Sequence, residues 1–177
     1  MTRSGDDRRE AGDANAPLDP VGEAARQWRA HGVGAAAHME AVANINRVSA
    51  LIIGRVEEIL IEFDLTFSQY EALVLLHFSR EGALPLGRMG RRLTVHPTTV
   101  TNTVDQLERK GLVGRETTAA DRRRVLAKIT KAGNRVASAA SAALVDARLG
   151  LDGLKAAEAK ELTRLLANYR AKIGDVV

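Results

Sequence analysis

The sequence predicts a mainly α-helical chain with one small β-hairpin. Three observations carry this expectation. Apolar residues make up 45% of the 177 residues but aromatic residues only 3%, so the core must be built from Leu, Val, Ile and Ala, which favours helices. Apolar residues recur at helical spacing through much of the chain on both sides of residues 112–129. Within that window the period changes to two, as in a pair of short strands.

The elements follow in order. Residues 1–20 are rich in Asp, Arg, Gly, Ala and Pro with almost nothing to bury, and read as a disordered tail. The run VGEAARQWRAHG reads as a short helix carrying the only Trp, Trp28. Over residues 35–63, Met39, Val42, Ile45, Ile52, Val56, Ile59 and Leu60 keep helical spacing in more than one stripe, as in a helix with several neighbours. Ser68 with Glu71 three residues on matches a capping box, so the next helix is expected over residues 68–79. Gly82 and Pro85 then break the chain. LGRMGRRL gives a short helix to Leu93, and TVH a tight turn. Pro97 stands at a first helical position, where its missing N–H would have no partner anyway. That helix is expected to stop at Lys110, with Gly111 as its left-handed cap residue. Leu112, Val113, Arg115 and Thr117 form one strand, Val125, Ala127 and Ile129 the other, and TAADRR the polar tip between them. Thr130 suits a helix N-cap, and two helical stretches separated near Gly153 complete the chain.

Composition excludes several kinds of chemistry. With no Cys there is no disulfide framework, thiolate metal site or thiol switch. The four His (His31, His38, His77, His96) lack metal-ligand spacing, so no metal or other cofactor is expected. No G-x-S-x-G, phosphate-binding Gly loop or close carboxylate pair occurs, and an enzyme is not expected. His77, beside ALVLL, reads as a packing residue. No signal peptide is visible and no apolar run approaches ~18 residues, so the chain reads as soluble and cytoplasmic, with no membrane partner. Net charge is only +4, but residues 85–131 hold 11 Lys/Arg against 4 Asp/Glu, whereas the remainder holds 15 against 18. A minority of the chain carries the whole positive excess, the footprint of a nucleic-acid-binding subdomain.

The stretch HPTTVTNTVDQLERKG, from His96 to Gly111, shows where that partner would bind. On a helical wheel Val100, Val104 and Leu107 cluster on the core side. Thr98 and Asn102 point away, flanked by Thr99 and Thr101. A short helix, a tight turn, this second helix and a basic hairpin make a winged helix-turn-helix, whose second helix enters the major groove of double-stranded DNA. Thr hydroxyls and methyls and an Asn amide suit base edges, and short side chains permit close approach. Candidate DNA-binding residues are therefore His96, Thr98, Thr99, Thr101 and Asn102. To these the hairpin adds Asp121, Arg122, Arg123 and Arg124. An Arg at the tip can enter a narrow minor groove, and a carboxylate two residues earlier can orient it. The rival reading is a winged-helix protein-interaction module without specific DNA binding.

The combination of VDQLERKGLV, the Asp121-Arg122-Arg123 wing and Ile129-Thr130-Lys131-Ala132-Gly133 resembles the MarR family of bacterial transcriptional regulators over residues 35–173. The resemblance implies a homodimer through interleaved N- and C-terminal helices, binding a pseudo-palindromic operator, usually as a repressor. The apolar residues of the end helices, too many for one small lobe to bury, point the same way. It implies a division into a tail (1–20), N-terminal dimerisation helices (21–64), a winged DNA-binding lobe (65–130) and C-terminal dimerisation helices (131–177). It assigns Arg123 to the minor groove with Asp121 orienting it. Many members release DNA when a small, often aromatic or phenolic, ligand enters a crevice beside the winged lobe. For a urate-responsive branch, Trp28, Glu71 and Arg115 match three positions, whereas Thr103 stands where that branch has Arg. The branch that senses peroxide through Cys is excluded.

Overall fold

The computed structural model describes residues 19–118 and 121–175, and the side chains from 117 to 124 lie outside that description. Most of the expected tail falls outside it too. Asp19 and Pro20, assigned to the tail on sequence, instead start a helix. The chain divides into two compact units, residues 1–49 and 50–177.

In the first unit, α1 (Pro20–Ala30) opens with Pro20 in the first turn, and the Asp19 carboxylate accepts the Val21 N–H at 3.1 Å. The Trp28 indole N–H donates to the Gly34 carbonyl at 2.9 Å and fastens the turn after α1. An Arg29–Glu40 ion pair at 2.7 Å ties α1 to the start of α2 (Ala36–Leu60), whose C-terminal part belongs to the second unit. Val42, Ile45 and Val48 on α2 are exposed.

The second unit continues through a 3-10 turn (Ile61–Phe63) into α3 (Phe67–His77). The capping box is real but sits two residues before the Ser68–Glu71 pattern. Thr66 accepts the Gln69 N–H at 3.3 Å, and the Gln69 side chain accepts the Thr66 N–H at 3.2 Å. Both patterns satisfy the same rule, and the apolar register decides between them. With Thr66 as cap, Leu65 falls just outside the helix, where it is buried, and Ala72, Leu73 and Leu76 face the core.

After α3 comes an unforeseen strand, β1 (Ala83–Pro85), then α4 (Leu86–Leu93) and α5 (Pro97–Arg109). The hairpin strands are β2 (Val113–Thr118) and β3 (Asp121–Ile129), so the second strand starts within the stretch expected as the tip. β1 joins them in an antiparallel sheet of order β1-β3-β2, with Leu84 opposite Ala127 and Val113 opposite Ile129. The hairpin therefore supplies the central strand and one edge strand of a three-stranded sheet. Leu60, Leu73, Leu76, Met89, Val104 and Leu107 form the centre of the core, every one fully buried. This is a winged helix, mostly helical with a small antiparallel wing.

α6 (Lys131–Asp146) starts where the lobe closes. Thr130 caps it, accepting the Gly133 N–H at 3.0 Å, while its hydroxyl donates to the Gly111 carbonyl at 2.8 Å. The helix then packs on α3 through Ala137 and Ala140, aided by Tyr70–Ser141 (3.0 Å) and His77–Asn134 (2.7 Å) hydrogen bonds. His77 is thus a half-buried tie between helices. A 3-10 turn (Arg148–Gly150) leads to α7 (Ala156–Lys172), which buries no residue and leaves Leu162, Leu165, Leu166, Tyr169 and Ile173 exposed. No described helix is long and apolar enough to cross a membrane.

Gly133 marks the tightest point of this lobe. A Cβ there would lie 2.1 Å from the Leu112 carbonyl oxygen and 2.8 Å from Ile129 Cγ1, and the first of these is backbone. Gly133→Ala is expected to lower the unfolding free energy by about 1–3 kcal/mol or more, by forcing α6 off the sheet. Gly114→Ala, whose Cβ would meet nothing within 4 Å, serves as the control. Denaturant melts of both variants check this, and an equal small effect at the two positions would contradict it.

Candidate nucleic-acid interface

The candidate reading surface is built on α5. Pro97 pre-sets its first turn, and His96 Nδ1 caps it by accepting the Thr98 N–H at 3.3 Å. The same nitrogen lies 3.1 Å from Thr98 Oγ1. Accepting at Nδ1 places the ring proton on Nε2, which leaves an N–H donor on the far edge of the imidazole. Val100, Val104 and Leu107 are buried, and Thr98, Thr99, Thr101 and Asn102 are exposed on the first turns. The Thr101 hydroxyl donates back to the Pro97 carbonyl at 3.1 Å, which leaves its methyl as the outward group. Asn102 is exposed and makes no hydrogen bond with a described residue. The five α5 residues expected to bind DNA are brought together on one face.

The helix before the turn contributes residues that the sequence reading missed. On α4, Met89 and Gly90 are buried while Arg88, Arg91 and Arg92 are exposed, and none of the three pairs with a described carboxylate. Gly90 lets the turn close, because a Cβ there would lie 3.3 Å from the Val95 carbonyl and 3.4 Å from Val100 Cγ2. The signal was present as three Arg in the eight residues LGRMGRRL. In sequence the three add to the positive excess of residues 85–131, and the fold puts them on the exposed side of the first helix of the motif. In helix-turn-helix complexes generally, the first helix crosses the sugar-phosphate backbone.

The C-terminal half of α5 is held on both flanks. From α3, the Gln69 amide donates to Gln106 Oε1 at 2.6 Å, and Lys110 Nζ donates to Gln69 Oε1 at 3.1 Å. Gln69 is a buried polar side chain with its groups satisfied. Lys110 also pairs with Asp64 at 3.2 Å. From the wing, Arg115 on β2 forms ion pairs with Asp105 and with Glu108, the latter at 3.3 Å. Lys128 on β3 pairs with Glu116 across the sheet at 2.8 Å. For Asp121, Arg122, Arg123 and Arg124 the structure gives the backbone alone: they begin β3, with Asp121 opposite Thr118 across a register irregularity. The expected contact between Asp121 and Arg123 lies outside the described side chains.

Glu71 and Thr103 line one crevice between α3 and α5, together with Ser68, Leu93, Val95 and Thr99. Its volume is about 20 Å³, room for little more than one water and none for an aromatic ring. Of the urate-branch positions, Arg115 is engaged by Asp105 and Glu108, and Trp28 belongs to the first unit. Among the described residues no group of His, Asp and Glu could hold a metal ion.

The sequence pattern of the MarR family matches residues 65–125. A MarR family transcriptional regulator from Streptomyces coelicolor is 41% identical, with a TM-score of 0.73, and the similarity covers 78% of this chain and 96% of that one. A second regulator of that organism, solved in complex with DNA, is 20% identical with a TM-score of 0.68, covering 75% and 88%. The S. aureus MepR–DNA complex is 23% identical with a TM-score of 0.65, covering 76% and 97%. At those identities the last two show the shared fold alone. No curated protein matches the chain in sequence.

Burial in its crevice raises the Glu71 carboxyl above the usual glutamate range. A raised carboxyl favours the neutral form in the folded state. Its contribution to stability is therefore full below the ordinary glutamate value and is lost as pH rises through the raised one. Glu71→Gln, neutral throughout, should melt above the parent at neutral pH and approach it in acid. Thermal melts of both proteins from about pH 4 to about pH 8 measure this. A melting difference independent of pH would mean that ionisation of Glu71 is not the cause.

Proposed function

The chain belongs to the MarR family of transcriptional regulators, and on that premise we propose that it binds double-stranded DNA sequence-specifically, as a homodimer on a pseudo-palindromic operator. One observation carries the reading: α5 buries Val100, Val104 and Leu107 and turns outward a face of Thr98, Thr99, Thr101 and Asn102, groups suited to base edges. Arg88, Arg91 and Arg92 beside it suit phosphates, which fix register without reading sequence. Asp121, Arg122, Arg123 and Arg124 extend the contact to the flanks, with Arg123 in the minor groove and Asp121 orienting it. The DNA complexes of the two structural relatives support this use of the fold.

The homodimer is supported by the apolar residues that the described chain leaves exposed. Leu162, Leu165, Leu166, Tyr169 and Ile173 form a helical stripe on α7, and Val42, Ile45, Val48 and Leu51 are exposed on α2. The division of labour follows, with residues 21–64 and 131–177 for dimerisation and 65–130 for reading. A repressor role and release by a small aromatic or phenolic ligand rest on the family likeness.

Selection of bound duplexes from a random pool tests the whole reading. It should return two half-sites about 10 base pairs apart, centre to centre, with binding that weakens steeply as salt rises. Recovery of no preferred duplex would favour a protein-interaction module instead. On the selected operator, Asn102→Ala should cost about 1–3 kcal/mol and relax preference at one or two base pairs, while random duplex binds almost as before. Equal losses on both would make Asn102 a backbone contact. Arg123→Ala should instead abolish preference for A·T-rich flanks and lower the salt slope by roughly one phosphate equivalent per wing. Retention of the flank preference by that variant would remove Arg123 from the minor groove.

A further inference from the structure

Asp105 and Glu108 are an unexpected pair on a helix that approaches DNA. They stand three residues apart on α5, hence on one face, and each would repel phosphates. The lobe around them is strongly basic, so their charge works against its net attraction. Neither is left to solvent. Arg115 reaches from β2 to both, Nη2 toward Asp105 Oδ1 and Nη1 toward Glu108 Oε2, with the Arg115 side chain 30% exposed and the two acidic side chains about 40%. This fork, one guanidinium paired with two carboxylates, differs from an isolated surface pair, because a single cation offsets both acids and all three side chains stem from regular structure. Arg115 lies directly opposite Ala127, a fully buried residue of β3, so the sheet fixes where the fork begins.

We propose that Arg115 is a positioning residue, which locks the angle between α5 and the wing through Asp105 and Glu108 and so sets how well the chain discriminates its operator. The inference rests on the DNA-binding reading above. Bases would be read by the first half of α5, at Thr98, Thr99, Thr101 and Asn102, and flanks by the wing. The two contact regions sit on different elements, and a specific complex requires both at once. Among the described side chains the fork is a polar link between those elements: its acids lie in the second half of the helix, and its base lies on the strand that leads to the tip. The acids stay because they aim the helix, despite their charge.

Charge and geometry predict opposite outcomes for one variant. Asp105→Asn with Glu108→Gln removes two negative charges beside the DNA, and electrostatics alone would then tighten binding to every duplex. With the fork as an aiming device, affinity for the selected operator should fall on the order of tenfold or more while random duplex binds as well as before or better. Arg115→Ala should lose operator discrimination to a similar extent. Arg115→Lys, which keeps the charge but has one ammonium in place of two separate Nη groups, should fall between. Amide hydrogen exchange in the free proteins gives a second readout: the α5 amides should exchange faster in the double variant while those of α3 and α6 hold, which also shows that the lobe is folded. The parent and Asn102→Ala are measured alongside. A parent that prefers no duplex brings down the DNA reading and this inference together. A discriminating parent whose double variant discriminates equally, or binds the operator more tightly, overturns the fork and leaves the DNA reading standing.

Discussion

The interface depends on how little of α5 is committed to the core. Val100, Val104 and Leu107 are its buried residues, spaced by four and three. That spacing confines them to one narrow stripe along the axis. Fully burying each such side chain is worth roughly 1.5–3 kcal/mol, so rolling the helix by even one residue would expose a large part of its anchorage. The stripe therefore fixes which residues face outward. Gly90 brings the preceding helix close enough for Val100 to pack beneath the turn. Gly133 brings α6 against the Leu112 carbonyl, which immobilises the exit of α5 into the sheet. These two close approaches, one at each end, convert a helix with a single buried stripe into a rigid presentation of its opposite face.

Polar groups divide along the same helix. The first half makes its hydrogen bonds inward or to its own cap, through His96 to Thr98 and Thr101 to Pro97. Its outer groups keep donors and acceptors for another molecule. The second half is the reverse, with Asp105, Gln106, Glu108 and Lys110 all engaged by α3, β2 or the preceding loop. Such pairs at half-exposed sites add little to stability one at a time. Shared among several anchored side chains they restrict orientation, and orientation is what a reading surface needs. Fixed short side chains also lose little entropy when bound, unlike long Lys or Glu side chains on the same face.

Much of this was legible in the sequence where periodicity and punctuation agree. The span of α5 could be read because Pro97, the apolar stripe and Gly111 mark the start, the middle and the end of one element, and Gly111 does hold a φ of +69°. β1 was not legible: three residues have no period, and Pro85 argues for a break. Its existence depends on β3 offering an edge, with the Ile129 N–H donating to the Gly82 carbonyl at 2.8 Å. Two overlapping capping boxes could be separated only by which register buries Leu65. The outward Thr and Asn face of α5 could be read because hydroxyls and amides are unusual where Lys and Glu are expected. Arg115 and its two acids could not, because residues 105, 108 and 115 become neighbours only once the strand folds back on the helix.

The C-terminal segment carries a different kind of information. Arg148, Leu149 and Gly150 all have left-handed backbones, with φ of +50°, +53° and +77°. Only the glycine is at ease there; each of the other two costs roughly 1–2 kcal/mol. Such strain persists only where surrounding contacts over-determine the bend. Those contacts are present: Arg55 donates to the Gly150 carbonyl at 3.2 Å and pairs with Asp152 at 2.9 Å, and Gly150 sits within 3.3 Å of the Ile52 carbonyl as a Cβ would measure it. Ile52 and Arg55 of α2 therefore hold the bend that precedes α7, although α7 itself buries nothing. A strained bend leading to a helix with an uncovered apolar stripe has a use in the homodimer proposed above. It is what a homodimeric reading requires, because a partner can cover that stripe only if each copy presents it in one fixed direction.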